Sequence, residues 1–107
     1  MKDKARLLIV DDSVESLELI DTQLDNKYHT SLVTSLSEAR KKLLNNRYHI
    51  AIVDLVLPGE NGLDLIRELT TDHPYTAVIA ISGQASIEAA VMAMKLGAAE
   101  FLVKPLS

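Results

Sequence analysis

Ile50-Ala51-Ile52-Val53-Asp54 is the stretch on which the fold turns. Four apolar residues, three of them β-branched, run without alternation and stop at an aspartate. Such a run reads as a strand buried on both faces, with a charge at its carboxyl end. Three further runs follow the same plan. Leu7-Leu8-Ile9-Val10 ends at Asp11-Asp12, Ala77-Val78-Ile79-Ala80-Ile81 ends at Ser82, and Phe101-Leu102-Val103 ends at Lys104. Thr30 to Val33 makes a fifth, weaker strand whose polar neighbours suit a sheet edge.

Between these runs the apolar spacing becomes helical. Leu17, Ile20, Leu24 and Tyr28 form one stripe, Leu36, Ala39 and Leu43 a second, Leu65, Ile66 and Leu69 a third, and Ile87, Val91 and Met94 a fourth. Ser35 and Glu38 stand at capping-box spacing, Pro74 stops the third helix, and Gly97 suits the end of the fourth. Strand and helix alternate four times before a last strand. That order calls for an α/β fold, a doubly wound parallel sheet of five strands with helices on both faces.

The chain has 107 residues, enough for one domain with a single core and no need of a metal or disulfide staple. Fifteen Asp and Glu against eleven Lys and Arg leave a net charge of -4, a field that repels phosphodiester backbones, so direct nucleic-acid binding is not expected. Cysteine is absent, which excludes thiolate and disulfide chemistry. The first apolar run is four residues long and flanked by aspartates, too short and acidic for a signal peptide or membrane span. A cytoplasmic location, away from membranes, is the expectation.

In open sheets of this class the site lies beyond the carboxyl ends of the strands, where strand order reverses. Asp11, Asp12, Asp54, Ser82 and Lys104 all fall there. Each has a plainer reading on its own: Asp12 or Ser13 caps the first helix, Ser82 starts a turn, and Lys104 is an exposed cation. Together the plain readings fail, because three converging carboxylates without a cation repel and raise one another's pKa. A positive charge should sit among them. An all-oxygen donor set suits magnesium, whereas zinc would call for His or Cys. His29, His49 and His73 are scattered over turn and strand positions and read as solvated or hydrogen-bonded side chains.

Asp11-Asp12, then Asp54 with Pro58-Gly59 after it, then Ser82-Gly83, then Lys104-Pro105, resemble the receiver domain of two-component response regulators. The likeness runs from about Leu7 to the last residue. Ser86 to Pro105, with Met94-Lys95-Leu96-Gly97-Ala98, is similar to receivers attached to enhancer-binding transcription activators. The resemblance implies a flavodoxin-like sheet of order 2-1-3-4-5. It also implies that Asp54 accepts a phosphoryl group from the phosphohistidine of a sensor histidine kinase or phosphotransfer protein. Asp12 would be a direct magnesium ligand, Asp11 a ligand through water, and the Val56 backbone carbonyl a further ligand. Lys104, the Ser82 hydroxyl and the Gly83 N–H would meet the phosphoryl oxygens, and the Lys104-Pro105 peptide would be cis. By the same resemblance the domain is a signalling module that switches a protein-interaction surface for an output domain or downstream protein. It assists its own phosphotransfer and dephosphorylation but turns over no external substrate, and so is not an enzyme.

In that family Ser82 and an aromatic residue three before the lysine, here Phe101, form the switch; Phe101 equally reads as a plain core residue. Met92, with Glu88 and Lys95 on the outer side of the fourth helix, is either a partner contact or a lone surface apolar residue. Val56 offers nothing to orient an attacking water, which suggests a long-lived phosphoryl group; Gln84 is the counterweight. Rival classes fare poorly. A haloacid-dehalogenase-like phosphohydrolase needs an acid at Val56, a nucleotide-binding domain needs a glycine-rich loop where Asp11-Asp12 stand, and a docking module that is never phosphorylated has no need of the full site set.

Receivers of this kind continue into a fifth helix, whereas this sequence stops at Leu106-Ser107, with Ser107 placed as its cap. The expectation is a truncated receiver whose fourth and fifth strands and first helix expose apolar flanks, favouring a homodimer or a less stable fold.

Overall fold

The computed structural model describes residues 4–24, 26–83 and 87–105; Gln84, Ser86, Leu106 and Ser107 lie outside them. In chain order the elements are β1 (Arg6–Val10), α1 (Val14–Leu24), β2 (His29–Val33), α2 (Leu36–Asn45), β3 (Ile50–Asp54), β4 (Val56–Leu57), β5 (Glu60–Asn61), α3 (Gly62–Asp72), β6 (Ala77–Ser82), α4 (Ile87–Lys95) and β7 (Glu100–Val103). The five longer strands form one parallel sheet of order β2-β1-β3-β6-β7, the expected 2-1-3-4-5. The antiparallel pair β4–β5 is a small hairpin that the apolar pattern does not reveal.

Alternate strand residues feed two cores, as the two-residue period of a strand requires. Leu8, Val10, Ala51, Val53, Val78 and Ala80 face one side and are covered by Leu36 and Ala39 of α2, Leu65, Ile66 and Leu69 of α3, and Ala93 of α4. Leu7, Ile9, Ile52 and Ile81 face the other side, under Leu17 and Ile20 of α1. Ser35 accepts the Glu38 N–H at 3.1 Å, while the Glu38 carboxylate reaches back to the Thr34 N–H at 2.8 Å, one residue further than a standard capping box. At the end of α3 the His73 N–H returns to the Leu69 carbonyl, ahead of Pro74. At the end of α4 the Ala98 N–H returns to the Ala93 carbonyl across Gly97.

Two expectations are corrected. The Ile87, Val91 and Met94 stripe of α4 faces outward, with Ile87 83% exposed, and the helix packs instead through Ala89 and Ala93, with Leu96 just after it also against the core. Small residues let α4 lie close to its neighbours, so its larger apolar side chains are left for solvent. The last strand is not buried on both faces: β7 is a sheet edge, with Leu102 and Val103 exposed and Phe101 half-buried. A groove of about 420 Å³ runs beside it, lined by Ile20, Leu24, Ile52, Leu102, Val103 and Pro105. The groove lies between one flank of α1 and the sheet.

Candidate functional site

Parallel pairing carries the chemistry-bearing residues to one edge. The sheet ladder extends past the strand ends, with Asp11 N–H bonding the Val33 carbonyl, Leu55 N–H the Ile81 carbonyl and Lys104 N–H the Ser82 carbonyl. Asp54 sits at the end of the central strand β3, with β1 on one side and β6 on the other. Asp11 and Asp54 are buried at 0% and 2% exposure, Ser82 is buried, and Asp12 is exposed. Asp11, Asp12 and Asp54 bring carboxylate oxygens within 4.8 Å of one another.

Among the described residues, Lys104 brings one positive charge to these carboxylates. Its Nζ lies 2.8 Å from Asp54 Oδ2 and 3.1 Å from Asp11 Oδ2, bridging the two buried carboxylates. The Lys104-Pro105 peptide is cis, as the resemblance implied. The second oxygen of each carboxylate is held by the backbone: Asp54 Oδ1 accepts the Val56 N–H at 2.9 Å, and Asp11 Oδ1 the Ser13 N–H at 3.0 Å.

The two carboxylates share a site but not a pKa. Burial raises Asp11, yet hydrogen bonds from the Ser16 hydroxyl, the Ser13 N–H and Lys104 outweigh it and hold the group below its ordinary value. Burial also raises Asp54, and there Lys104 and the Val56 N–H offset it only in part, so Asp54 stays above its ordinary value. Burial alone would lower Lys104; its bonds to Asp54 and Asp11 raise it instead, so it remains a cation.

Two features escaped the sequence reading, and one was read only in part. The Ser16 hydroxyl donates to Asp11 Oδ2 at 2.6 Å, visible afterwards as serines two and five residues beyond the aspartate. Ser13, read as a possible cap, does cap α1 by accepting the Ser16 N–H, while its own N–H holds Asp11. Gly62 packs so tightly under the site that a Cβ there would lie 2.3 Å from the Asp54 carbonyl oxygen. The histidines stand apart from the site: His49 Nδ1 accepts the Arg6 N–H, and His73 bonds the Tyr75 hydroxyl.

The family model described as the response regulator receiver domain matches residues 7–107. The chain belongs to that family. Among curated relatives, this receiver is 35% identical over 104 residues to the response regulator protein PilR of Pseudomonas aeruginosa, covering 96% of this chain and 23% of PilR. It is 31% identical to the transcriptional regulatory protein CpxR of Klebsiella pneumoniae, covering 95% of this chain and 44% of CpxR. The chain thus spans less than half the length of either. Among solved structures, it superposes with a TM-score of 0.90 on a response regulator from Burkholderia pseudomallei bearing a phosphorylated aspartic acid, at 31% identity over 98% of this chain and 62% of that one. The beryllofluoride-activated NtrC4 receiver domain dimer matches with a TM-score of 0.88 and 34% identity, covering 95% of this chain and 85% of that one. Among the described residues of the receiver, no helix is long and apolar enough to cross a membrane.

Proposed function

We propose that this receiver takes a phosphoryl group onto Asp54 from the phosphohistidine of a sensor histidine kinase or phosphotransfer protein. The observation that carries the reading is the buried pair Asp11 and Asp54, held by one lysine at 3.1 and 2.8 Å beside buried Ser82. An Asp54 oxygen attacks phosphorus, the phosphorus–nitrogen bond of the donor breaks, and the departing imidazole takes up a proton. Lys104 is within reach of Asp54 and meets the charge that gathers on the transferring oxygens, with Ser82 and the Gly83 N–H as further donors. The donor set fits magnesium: three carboxylates with oxygens within 4.8 Å, to which the Val56 carbonyl is added. When bound, magnesium neutralises charge on the phosphoryl oxygens and on the acceptor carboxylate. The role of the domain is signalling in the cytoplasm, with no external substrate turned over.

Ser82 and Phe101 form the switch in this reading. Phe101 is half-buried in β7 opposite Ala80, two residues from Ser82 on the neighbouring strand, which supports the switch reading. Met92 is 43% exposed on α4 beside exposed Val91, which supports an output contact there. The partial coverage of PilR and CpxR supports a receiver portion joined to an output domain in a longer regulator. The open groove beside β7 supports a homodimer in which a second copy covers it, and the similar NtrC4 receiver domain is a dimer in its beryllofluoride-activated form. A Leu102→Lys variant that sediments like the parent would refute that interface.

The central test is incubation with acetyl phosphate and magnesium, read by intact mass and NMR. The parent gains one phosphoryl adduct at Asp54 and shifts resonances around Ser82 and Phe101. Asp54→Asn gains none. Modification of Asp54→Asn equal to the parent overturns the assignment, and a parent that is never modified favours a docking module.

A further inference from the structure

We infer that Ser16 is a positioning residue for the acidic pocket, its hydroxyl holding the Asp11 carboxylate in place when Lys104 lets go. The inference rests on the phosphoacceptor reading above. Asp11 Oδ2 accepts from two donors, the Ser16 hydroxyl at 2.6 Å and the Lys104 ammonium at 3.1 Å, while Oδ1 accepts the Ser13 N–H at 3.0 Å. Lys104 also holds Asp54 at 2.8 Å, so one ammonium is divided between two buried carboxylates. A phosphoryl group on Asp54 brings new oxygens that compete for that ammonium, and the weaker of its two bonds, the one to Asp11, is the one to go. Asp11 is fully buried and would lose a donor at that moment. An unmatched buried carboxylate oxygen is strongly unfavourable.

Ser16 removes that difficulty. It sits in the first turn of α1, whose start is fixed by the Ser13 hydroxyl accepting the Ser16 N–H. Ser13 and Ser16 thus clamp both oxygens of Asp11 from one rigid helix end, independently of the lysine. The clamp limits rotation of the carboxylate and fixes which oxygen lone pairs remain for a water-bridged cation. Partners that orient a ligand in this way typically change metal affinity by roughly 10–100-fold when removed. Leucine or isoleucine at this position would fill the same helix face but leave Asp11 Oδ2 to Lys104 alone.

The test uses Ser16→Ala and Ser16→Thr beside the parent and Asp12→Ala, with magnesium affinity measured by calorimetry and the magnesium-free melting temperature measured separately. Ser16→Ala should bind magnesium roughly tenfold more weakly. Ser16→Thr, which keeps the hydroxyl and has space for its methyl in the hollow of about 360 Å³ lined by Ser16, Leu19 and Lys104, should restore binding. The magnesium concentration that half-saturates labelling by acetyl phosphate should move with the affinity. A Ser16→Ala protein that binds magnesium within twofold of the parent overturns the inference, even if it melts lower. If Asp12→Ala loses binding while Ser16→Ala keeps it, the acidic metal site survives and only the role of Ser16 falls. A parent that binds no magnesium overturns both.

Discussion

Replacing Gly62 by alanine tests how closely α3 supports the acceptor strand. The new Cβ would lie 2.3 Å from the Asp54 carbonyl oxygen, 2.8 Å from Leu55 Cα and 3.0 Å from the Asp54 carbonyl carbon. All three are backbone atoms, so no side-chain rotation relieves the overlap. Either the Asp54–Leu55 segment or the start of α3 must move by about an ångström to approach ordinary contact distances. Both are anchored in the main core, through Leu55, Leu65 and Ile66. Overpacking of this kind costs about 1–3 kcal/mol, and a rigid backbone obstacle puts this site at the upper end. Alanine also restricts the unfolded chain, a stabilising effect of about 0.4–1 kcal/mol that opposes the clash without cancelling it. A net loss near 2 kcal/mol lowers the melting temperature by roughly 8–16 °C in a domain of this size.

The same shift displaces the backbone of the candidate acceptor, so labelling at Asp54 should fall further than the unfolded fraction explains. Gly59→Ala is the control. Its φ is +68° and no atom stands within 4 Å of the place a Cβ would take, so only the left-handed backbone penalty of roughly 1–2 kcal/mol applies and labelling persists. Urea denaturation, thermal melting and acetyl phosphate labelling of the three proteins decide the matter. A Gly62→Ala protein within about 0.5 kcal/mol of the parent, the range of an innocuous substitution, refutes the close-support argument.

Lys104→Met leaves two buried carboxylates facing each other and should destabilise the metal-free protein by about 3–5 kcal/mol at neutral pH. Asp54 already titrates above its ordinary value, so its ionised form opposes folding; the deficit should shrink as pH falls and a carboxyl takes up a proton, and a deficit equal at every pH in thermal melts counts against the bridge. Glu68, hydrogen-bonded by Arg40 at 2.9 and 2.7 Å, has a lowered pKa and stabilises the fold above its unfolded pKa, an effect lost as pH falls through the folded one. Both side chains are more than a third exposed, so Glu68→Gln should cost at most about 1 kcal/mol in neutral urea melts and nothing in acid; a loss that persists in acid would point to packing instead. Val56 is 53% exposed beside Asp54 and offers no group to orient water, so Val56→Asn should shorten the phosphoryl lifetime; a slower Val56→Asn protein reverses that argument.

Local pattern carried most of what the amino-acid sequence could decide. Apolar runs ending at Asp11, Asp54, Ser82 and Lys104 were legible because strand burial and strand termination are both written in consecutive residues. Parallel pairing then brings those ends to one edge. Tertiary structure decided the rest. The period of α4 marks a helix but not which side meets the sheet, and Ala93, not Ile87 or Met94, turned out to be the buried residue. A continuous apolar run cannot distinguish a central strand from an edge, so β7 looked as buried as β3. Nothing in the sequence singles out Ser16 or Gly62: the turn of α1 brings the Ser16 hydroxyl to Asp11, and α3 closes against β3 at Gly62. Lys104 is 93 residues from Asp11 in the chain, yet 3.1 Å away in space. Periodicity reports a residue's own element, whereas the partner of a polar side chain is set by how separate elements dock, and only the packed fold determines that.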